Sequence, residues 1–222
     1  MIKYIVSLSG GLDSAVLCAS LQAEHGAGAV GTVFFQYGSK HGPWEEKAAR
    51  TLAGHFGAPL RVVDLRAVFA HAKSALLEGD MRDIPKEAYG SASMDQTIVP
   101  GRNLMFAAVL ASIAESHGAA CVALATHAGD HCLYPDCRPT FNLALEQVIA
   151  ESTGNAVHVA TPFSSLHKKE IVALGAALGV PFALTRSCYE QTETSCGQCG
   201  TCRERLDAFA ANGLVDPVGY SD

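Results

Sequence analysis

A short apolar run, Tyr4 to Leu8, passes directly into Ser9-Gly-Gly-Leu-Asp-Ser14, and Ser14 to His25 then shows helical periodicity. A buried strand that turns through adjacent glycines into a helix leaves a chain few folds, because this is the position that receives phosphates in a doubly wound sheet. The reasons are local. Gly10 and Gly11 let the backbone turn sharply and approach an anion closely. Free N–H groups at the helix start face that anion, and the helix dipole adds partial positive charge. Ser9 and Ser14 add hydroxyl donors. No lysine follows the glycines, so the loop is not a Walker loop, and adjacent glycines do not make the dinucleotide fingerprint. Asp13 is the odd member, since a carboxylate repels phosphate. It makes sense if it holds Mg²⁺, which offsets that charge, or if it caps the helix. The plain structural alternative is a glycine turn with Ser14 as N-cap.

The rest of the chain alternates in the same way. Strands are expected at Ala29 to Phe35, Leu60 to Asp64, Cys121 to Thr126 and Val157 to Thr161. Helices are expected at Trp44 to Phe56 with Pro43 in the first turn, and at Leu65 to Leu77, Asn103 to His117, Thr140 to Glu151 and Lys168 to Leu178. Residues 78–99 show little pattern, and a stretch of that length inside a compact domain is functional or mobile. The fold class is therefore α/β, with a doubly wound, mostly parallel five-stranded sheet covered on both faces. After Pro181 the composition shifts to cysteine, glycine and polar residues. Residues 1–186 are read as a phosphate-binding α/β domain, and 187–222 as a metal knuckle and C-terminal helix belonging to the same compact unit.

Net charge is −6, with the basic residues scattered, which argues against a nucleic-acid partner. The first residues read as a strand and not as a signal peptide, and apolar stretches such as Leu104 to Ala111 are too short to span a bilayer. A cytoplasmic location with no membrane association is the expectation. Eight cysteines in such a chain point to metal or catalysis before disulfides. Cys188, Cys196, Cys199 and Cys202 stand as Cys-x7-Cys-x2-Cys-x2-Cys, with Gly197 and Gly200 at the turns. Four thiolates suit a closed, tetrahedral, structural Zn²⁺; an iron–sulfur cluster is the rival. Cys18 and Cys121 are read as buried apolar residues.

Ligands in such sheets sit at the carboxyl ends of strands near the switch point. The loop after the first strand should then face the loop after Cys121 to Thr126, which is His127-Ala-Gly-Asp-His-Cys-Leu-Tyr-Pro-Asp-Cys-Arg138. Upstream, Val99-Pro-Gly-Arg-Asn103 puts a cation and an amide at a helix start, where Arg102 can clamp a carboxylate or phosphate. His127, His131 and Cys132 are read without a second metal, and His41, His55 and His71 as ordinary, partly exposed histidines.

The Ser9 to Ser14 loop resembles that of the pyrophosphate-loop (PP-loop) ATP pyrophosphatases, whose fold is the adenine nucleotide α-hydrolase type. Val99-Pro-Gly-Arg-Asn, Tyr134-Pro-Asp-Cys-Arg, Phe35-Gln-Tyr-Gly, Ser187-Cys-Tyr and the cysteine knuckle together resemble the 7-cyano-7-deazaguanine synthase family, over residues 5 to about 209. The resemblance implies an ATP-dependent carbon–nitrogen ligase of queuosine-precursor biosynthesis. Its substrates would be 7-carboxy-7-deazaguanine and ammonia, and its cofactors ATP, Zn²⁺ and Mg²⁺. It implies that Leu8, Ser9, Gly10, Gly11, Leu12, Asp13 and Ser14 hold ATP, with Asp13, Ser14, Arg102 and Lys168 in the chemistry. The deazaguanine acid would then meet Arg102, Asn103, Asp130, Tyr134, Asp136 and Arg138. Each has a plain alternative: Asp130 and Asp136 as turn residues, Tyr134 packing on Pro135, Lys168 as a solvated helix residue, Arg102 and Asn103 as a helix start. His131-Cys-Leu133 departs from the family pattern and leaves the nitrogen acceptor and final product open. A related enzyme that stops at the amide or transfers the acyl group to another amine, or a tRNA-modifying PP-loop enzyme, remains an alternative. The sequence admits a homodimer without fixing the oligomeric state.

Overall fold

Strand β1 (Tyr4–Ser7) lies at the centre of a parallel sheet because its side chains are apolar on both faces. Ile5 enters one core cluster while Val6 and Leu8 enter the other, as the period of two requires. The computed structural model describes residues 1–87, 89 and 91–221. Residues 88 and 90, within the weakly patterned 78–99 stretch, and residue 222, the end of the expected C-terminal segment, lie outside the described residues.

Among the described residues the sheet has five strands: β1, β2 (Val30–Gln36), β3 (Leu60–Asp64), β4 (Cys121–Ala123) and β5 (His158–Ala160), in the order β3-β2-β1-β4-β5. Every pairing is parallel. β2, Val-Gly-Thr-Val-Phe-Phe-Gln, is buried at all but its last residue, the pattern of a strand covered on both sides. The helices are α1 (Leu12–His25), α2 (Gly42–His55), α3 (Arg66–Phe69), α4 (Arg102–Ser116), α5 (Pro139–Ser152), α6 (Lys168–Ala177) and α7 (Gly200–Ala211). Residues of α1, α2, α6 and α7 pack with Val6, and residues of α4 and α5 with Ile5. α6 lies tight on α1 at Gly175, where a Cβ would come 2.6 Å from Val16 Cγ2 and 2.5 Å from Phe182 Cζ. The strand order reverses between β1 and β4, so the loops leaving these two strands open a crevice side by side.

Two expected elements differ. The helix expected over Leu65 to Leu77 ends at Phe69. Beyond it, Ala75 N donates to Gln96 O at 2.7 Å, Leu76 O accepts from Lys40 N at 2.8 Å, and Leu77 bridges Ser39. Neighbouring segments satisfy this backbone, while Leu76 and Leu77 are buried in the core. β4 stops at Ala123, before the expected Thr126; Leu124 N–H still donates to Ala160 O of β5 at 3.0 Å, and Leu124, Ala125 and Thr126 wall the crevice. The unpatterned stretch ends in a 3₁₀ turn, Ala92–Thr97.

Candidate active site

The crevice is a cavity of about 210 Å³ at the carboxyl ends of β1, β2 and β4. Its floor is the Ser9–Ser14 loop. Gly10 has φ +85°, and a Cβ there would lie 2.5 Å from the Glu45 carbonyl oxygen, so the turn and the packing of α2 both demand glycine. The N-cap of α1 is Gly11, with no side-chain cap, and this corrects the expectations that Ser14 or Asp13 caps the helix. Ser14 Oγ instead donates to Gly11 O and pairs with Ser9 Oγ, both at 3.1 Å. The first-turn N–H groups of α1 are left for an anion. Leu8 and Leu12 are buried in the core and bracket the loop.

Asp13 Oδ2 receives Lys168 Nζ at 2.6 Å, and Lys168 also lies 3.5 Å from Glu204 Oε2. Lys168 is thus a partly buried cleft residue and not a solvated one. Burial pushes Asp13 up, but Lys168, with His127 behind it, outweighs burial and holds it below the ordinary value. Burial pulls Lys168 down, yet Asp13, Glu204 and Asp130 leave it above its usual range. Asp13 Oδ1 is buried without a partner among the described residues. A free carboxylate oxygen facing a phosphate cradle fits a hard divalent cation such as Mg²⁺. His127 Nδ1 accepts from Gly129 N–H, so the neutral ring carries its proton on Nε2, which faces Asp130 Oδ2 at 3.5 Å and Asp13 Oδ2 at 4.0 Å.

The opposite end is aromatic and cationic. Arg102 lies over the Tyr37 ring, its Cζ 5.8 Å from the centroid. The Tyr134 hydroxyl reaches Thr97 Oγ1 at 3.0 Å and Tyr189 at 3.3 Å, which goes beyond packing on Pro135. Tyr89, held protonated by burial and by nearby Asp130, donates to Asp130 Oδ1 at 2.5 Å. Asn103 lines the cleft, but Asp136 and Arg138 do not. Asp136 Oδ2 accepts the Asn103 N–H at 3.0 Å, satisfying the first turn of α4, and Arg138 Nε donates to His131 O at the surface. His131, Cys132 and Leu133 also stay off the cleft wall: Leu133 is buried with Met94 and Cys137, and Cys132 is exposed.

The sequence reading missed His41, Glu45, Arg186, Tyr189 and Glu204, all of which line the cleft. His41, expected to be partly exposed, is 1% exposed, whereas His55 and His71 are exposed. Burial, together with Arg102 and Arg186, pushes His41 down to about 3. Burial pushes Glu45 up to about 8 although Arg102 and Arg186 pull the other way. A glutamate in the first turn of an amphipathic helix has an ordinary electrostatic explanation, so no local signal marked Glu45.

Tyr189, Arg186 and Glu204 arrive from the cysteine-rich segment. The sulfurs of Cys188, Cys196, Cys199 and Cys202 lie within 4.8 Å of one another. Backbone N–H groups of Glu190 and Cys196 point at Cys188 Sγ, and those of Gln198 and Cys199 at Cys196 Sγ, at 3.3–3.4 Å. Four converging thiolates with N–H donors fit a closed Zn²⁺ site. Cys202 lies within α7, which starts at Gly200. The segment is pinned by Arg205, 2% exposed, which grips Asp216 with Nε to Oδ2 at 2.6 Å and Nη2 to Oδ1 at 2.8 Å.

The chain is similar to known proteins over nearly its whole length. The model of the family described as queuosine biosynthesis protein QueC matches residues 3–213. The chain is 40% identical to the 7-cyano-7-deazaguanine synthase of Ruegeria pomeroyi, covering 99% of this chain and 95% of that protein. It is 39% identical to the protein of the same name from Methanoregula boonei, covering 98% and 99%. Among solved structures, NMN synthetase from Francisella tularensis is similar in fold, with TM-score 0.52 at 15% identity over 96% of this chain and 78% of that one.

Proposed function

This chain belongs to the queuosine biosynthesis protein QueC family, and from that membership we propose that it converts 7-carboxy-7-deazaguanine and ammonia into 7-cyano-7-deazaguanine with ATP. It is an enzyme of queuosine-precursor biosynthesis. What supports the ATP-dependent ligase reading most is one cleft that joins a backbone anion cradle, with the Asp13–Lys168 pair, to an aromatic, arginine-bearing pocket.

In this reading the N–H groups opening α1, with Ser9 and Ser14, hold the pyrophosphate as it leaves, and Lys168 stabilises charge on the transferred phosphate. The acid binds with its ring among Tyr37, Tyr134 and Tyr189 and its carboxylate toward Arg102. Asn103 Oδ1 and Asp130 offer acceptors to the N–H edges of the ring, the Asn103 amide hydrogens being spent on Asp136 O and Cys137 Sγ. The carboxylate oxygen attacks the α-phosphorus and pyrophosphate departs. Ammonia attacks the activated carbonyl carbon, and AMP leaves to give the amide. The amide oxygen then attacks the α-phosphorus of a second ATP, expelling pyrophosphate, and the resulting imidate loses AMP; two nitrogen-bound protons leave in all, giving the nitrile. Asp13 would hold Mg²⁺, whose charge would offset that of the polyphosphate. The four cysteines would hold Zn²⁺, which would fix the segment carrying Tyr189 and Glu204. We assign residues 1–186 to ATP binding and 187–222 to the knuckle and terminal helix. The location we propose is the cytoplasm; no helix among the described residues is long and apolar enough to cross a membrane.

The test is mass spectrometry of a reaction with ATP, Mg²⁺, the acid and ¹⁵N-ammonium. Labelled nitrile with AMP and pyrophosphate is expected. Amide that accumulates unconsumed, or ADP and phosphate as direct products, rejects this reading.

A further inference from the structure

Four carboxyl side chains line the cleft among the described residues: Asp13, Glu45, Asp130 and Glu204. Three are engaged. Asp13 and Glu204 share the Lys168 ammonium, at 2.6 and 3.5 Å. Asp130 accepts the Tyr89 hydroxyl at 2.5 Å and faces His127 at 3.5 Å. Among the described residues Glu45 has no lysine or arginine within salt-bridge distance; the Ser39 hydroxyl is its side-chain hydrogen-bond partner, and His41 Nε2 lies 3.5 Å away. Its main-chain carbonyl packs against Gly10, so the carboxyl is anchored beside the loop where the adenylate would form.

The surroundings suit proton transfer. Arg102 from α4 and Arg186 from the segment before the knuckle face Glu45 from a distance, Tyr37 and Ser39 face it from the loop after β2, and His41 faces it from the start of its own helix. The two guanidiniums would draw the substrate's carboxylate toward Glu45 without pairing with it. Burial dominates their pull and leaves the Glu45 carboxyl titrating near about 8, where a general base can both take and release a proton.

We propose that Glu45 is the catalytic base that removes the nitrogen-bound protons in both halves of the reaction. The assignment rests on the reaction proposed above. In the first half the ammonia lone pair forms the C–N bond, the C–O bond to AMP breaks, and the excess N–H proton passes to the Glu45 carboxylate. In the second half the amide oxygen displaces pyrophosphate from ATP as one N–H proton passes through Glu45 to water, and the neutral O-adenylated imidate then loses its remaining N–H proton to Glu45. The freed electron pair closes the third C–N bond as AMP departs. After each half Glu45 returns the proton to water.

The test compares the native chain with Glu45→Gln and Glu45→Asp, counting AMP, amide and nitrile separately, with ammonia and then with hydroxylamine. Hydroxylamine is largely neutral at pH 7 and attacks with little need of a base. Glu45→Gln should form amide and nitrile on the order of 10²–10⁴-fold more slowly. AMP formed per amide should rise as stranded adenylate is hydrolysed. Hydroxylamine should relieve the loss, and Glu45→Asp should recover part of it. At fixed free ammonia the native rate should climb as the carboxyl ionises, level off above about pH 8, and lack that limb in Glu45→Gln. A folded Glu45→Gln that couples AMP to amide at the native rate overturns the assignment, as does a loss that hydroxylamine leaves untouched. No AMP from the native chain and the acid overturns the reaction, and the assignment with it.

Discussion

The two ends of the cleft are built from different material. The end where we propose the phosphates bind is one contiguous stretch of backbone, Ser9 to Ser14, whose main-chain N–H groups would be the donors and whose shape depends on Gly10. The other end, where we propose the acid binds, is made of side chains alone: Tyr37, His41 and Glu45 around the start of α2, Arg102 on α4, Tyr134 after β4, and Arg186 and Tyr189 near the knuckle. A backbone site needs only a local turn and a helix start. A side-chain site needs several distant segments held in register at once, and here the cysteine knuckle does much of the holding.

The largest effect should therefore come from removing that support. Cys199→Ser should lower soluble yield and melting temperature sharply, since a lost structural metal site is comparable with the whole stability of a domain, about 5–15 kcal/mol. Metal analysis of the native chain should find about one zinc per chain and no iron–sulfur absorption. A stable, active, metal-free native protein would end the idea that the acid end depends on the knuckle.

Next comes a change confined to the phosphate end. Asp13→Asn should fold yet lower AMP formation on the order of 10²–10³-fold, because Lys168 and any bound cation lose their charged partner. The same substitution has a pH signature. Asp13 is held below its ordinary value in the folded chain, so its stabilising contribution is present above the unfolded value and is lost as pH falls through the folded one. Thermal melts on the acid side should show this loss in the native chain and not in Asp13→Asn. Equal acid sensitivity in both would mean that the pair with Lys168 is spent elsewhere.

The smallest effect tests which residues belong to the acid end at all. Asp136→Ala should cost about 1 kcal/mol by leaving the Asn103 N–H unsatisfied, a drop of about 2–4 °C in melting temperature, with the KM for the acid little changed. A large rise in KM with no change in stability would instead place Asp136 against the substrate.

This contrast also explains what could be read from the sequence. The loop, the four cysteines and the order of strands and helices are local or periodic patterns, and the structure places them where those patterns point. Leu65 to Leu77 misled because its apolar residues fit a helix as well as they fit a chain that turns and is bridged by Ser39 and Gln96. His41 and Glu45 were invisible because their meaning comes from Arg102 and Arg186, more than fifty residues away in sequence on elements that only the fold brings near. Asp136 and Arg138 drew attention as charged residues in a motif, yet Asp136 accepts the Asn103 N–H of α4 and Arg138 donates to the His131 carbonyl oxygen just before the motif.

Arg186 joins the two ends. Its guanidinium donates to the carbonyl oxygens of Glu190, Thr192 and Glu193 in the knuckle, and its backbone N–H donates to Gly10 O at 2.8 Å. One residue thus bonds to both the cysteine segment and the Ser9–Ser14 loop, so in the proposed reading a metal on the one and a nucleotide on the other would be coupled through it. Whatever factor an ordered knuckle adds to nucleotide affinity, bound nucleotide must add to metal retention. A metal on the cysteines would then act as an effector of ATP binding as well as a fold constraint, and nucleotide occupancy would set how tightly the chain keeps it.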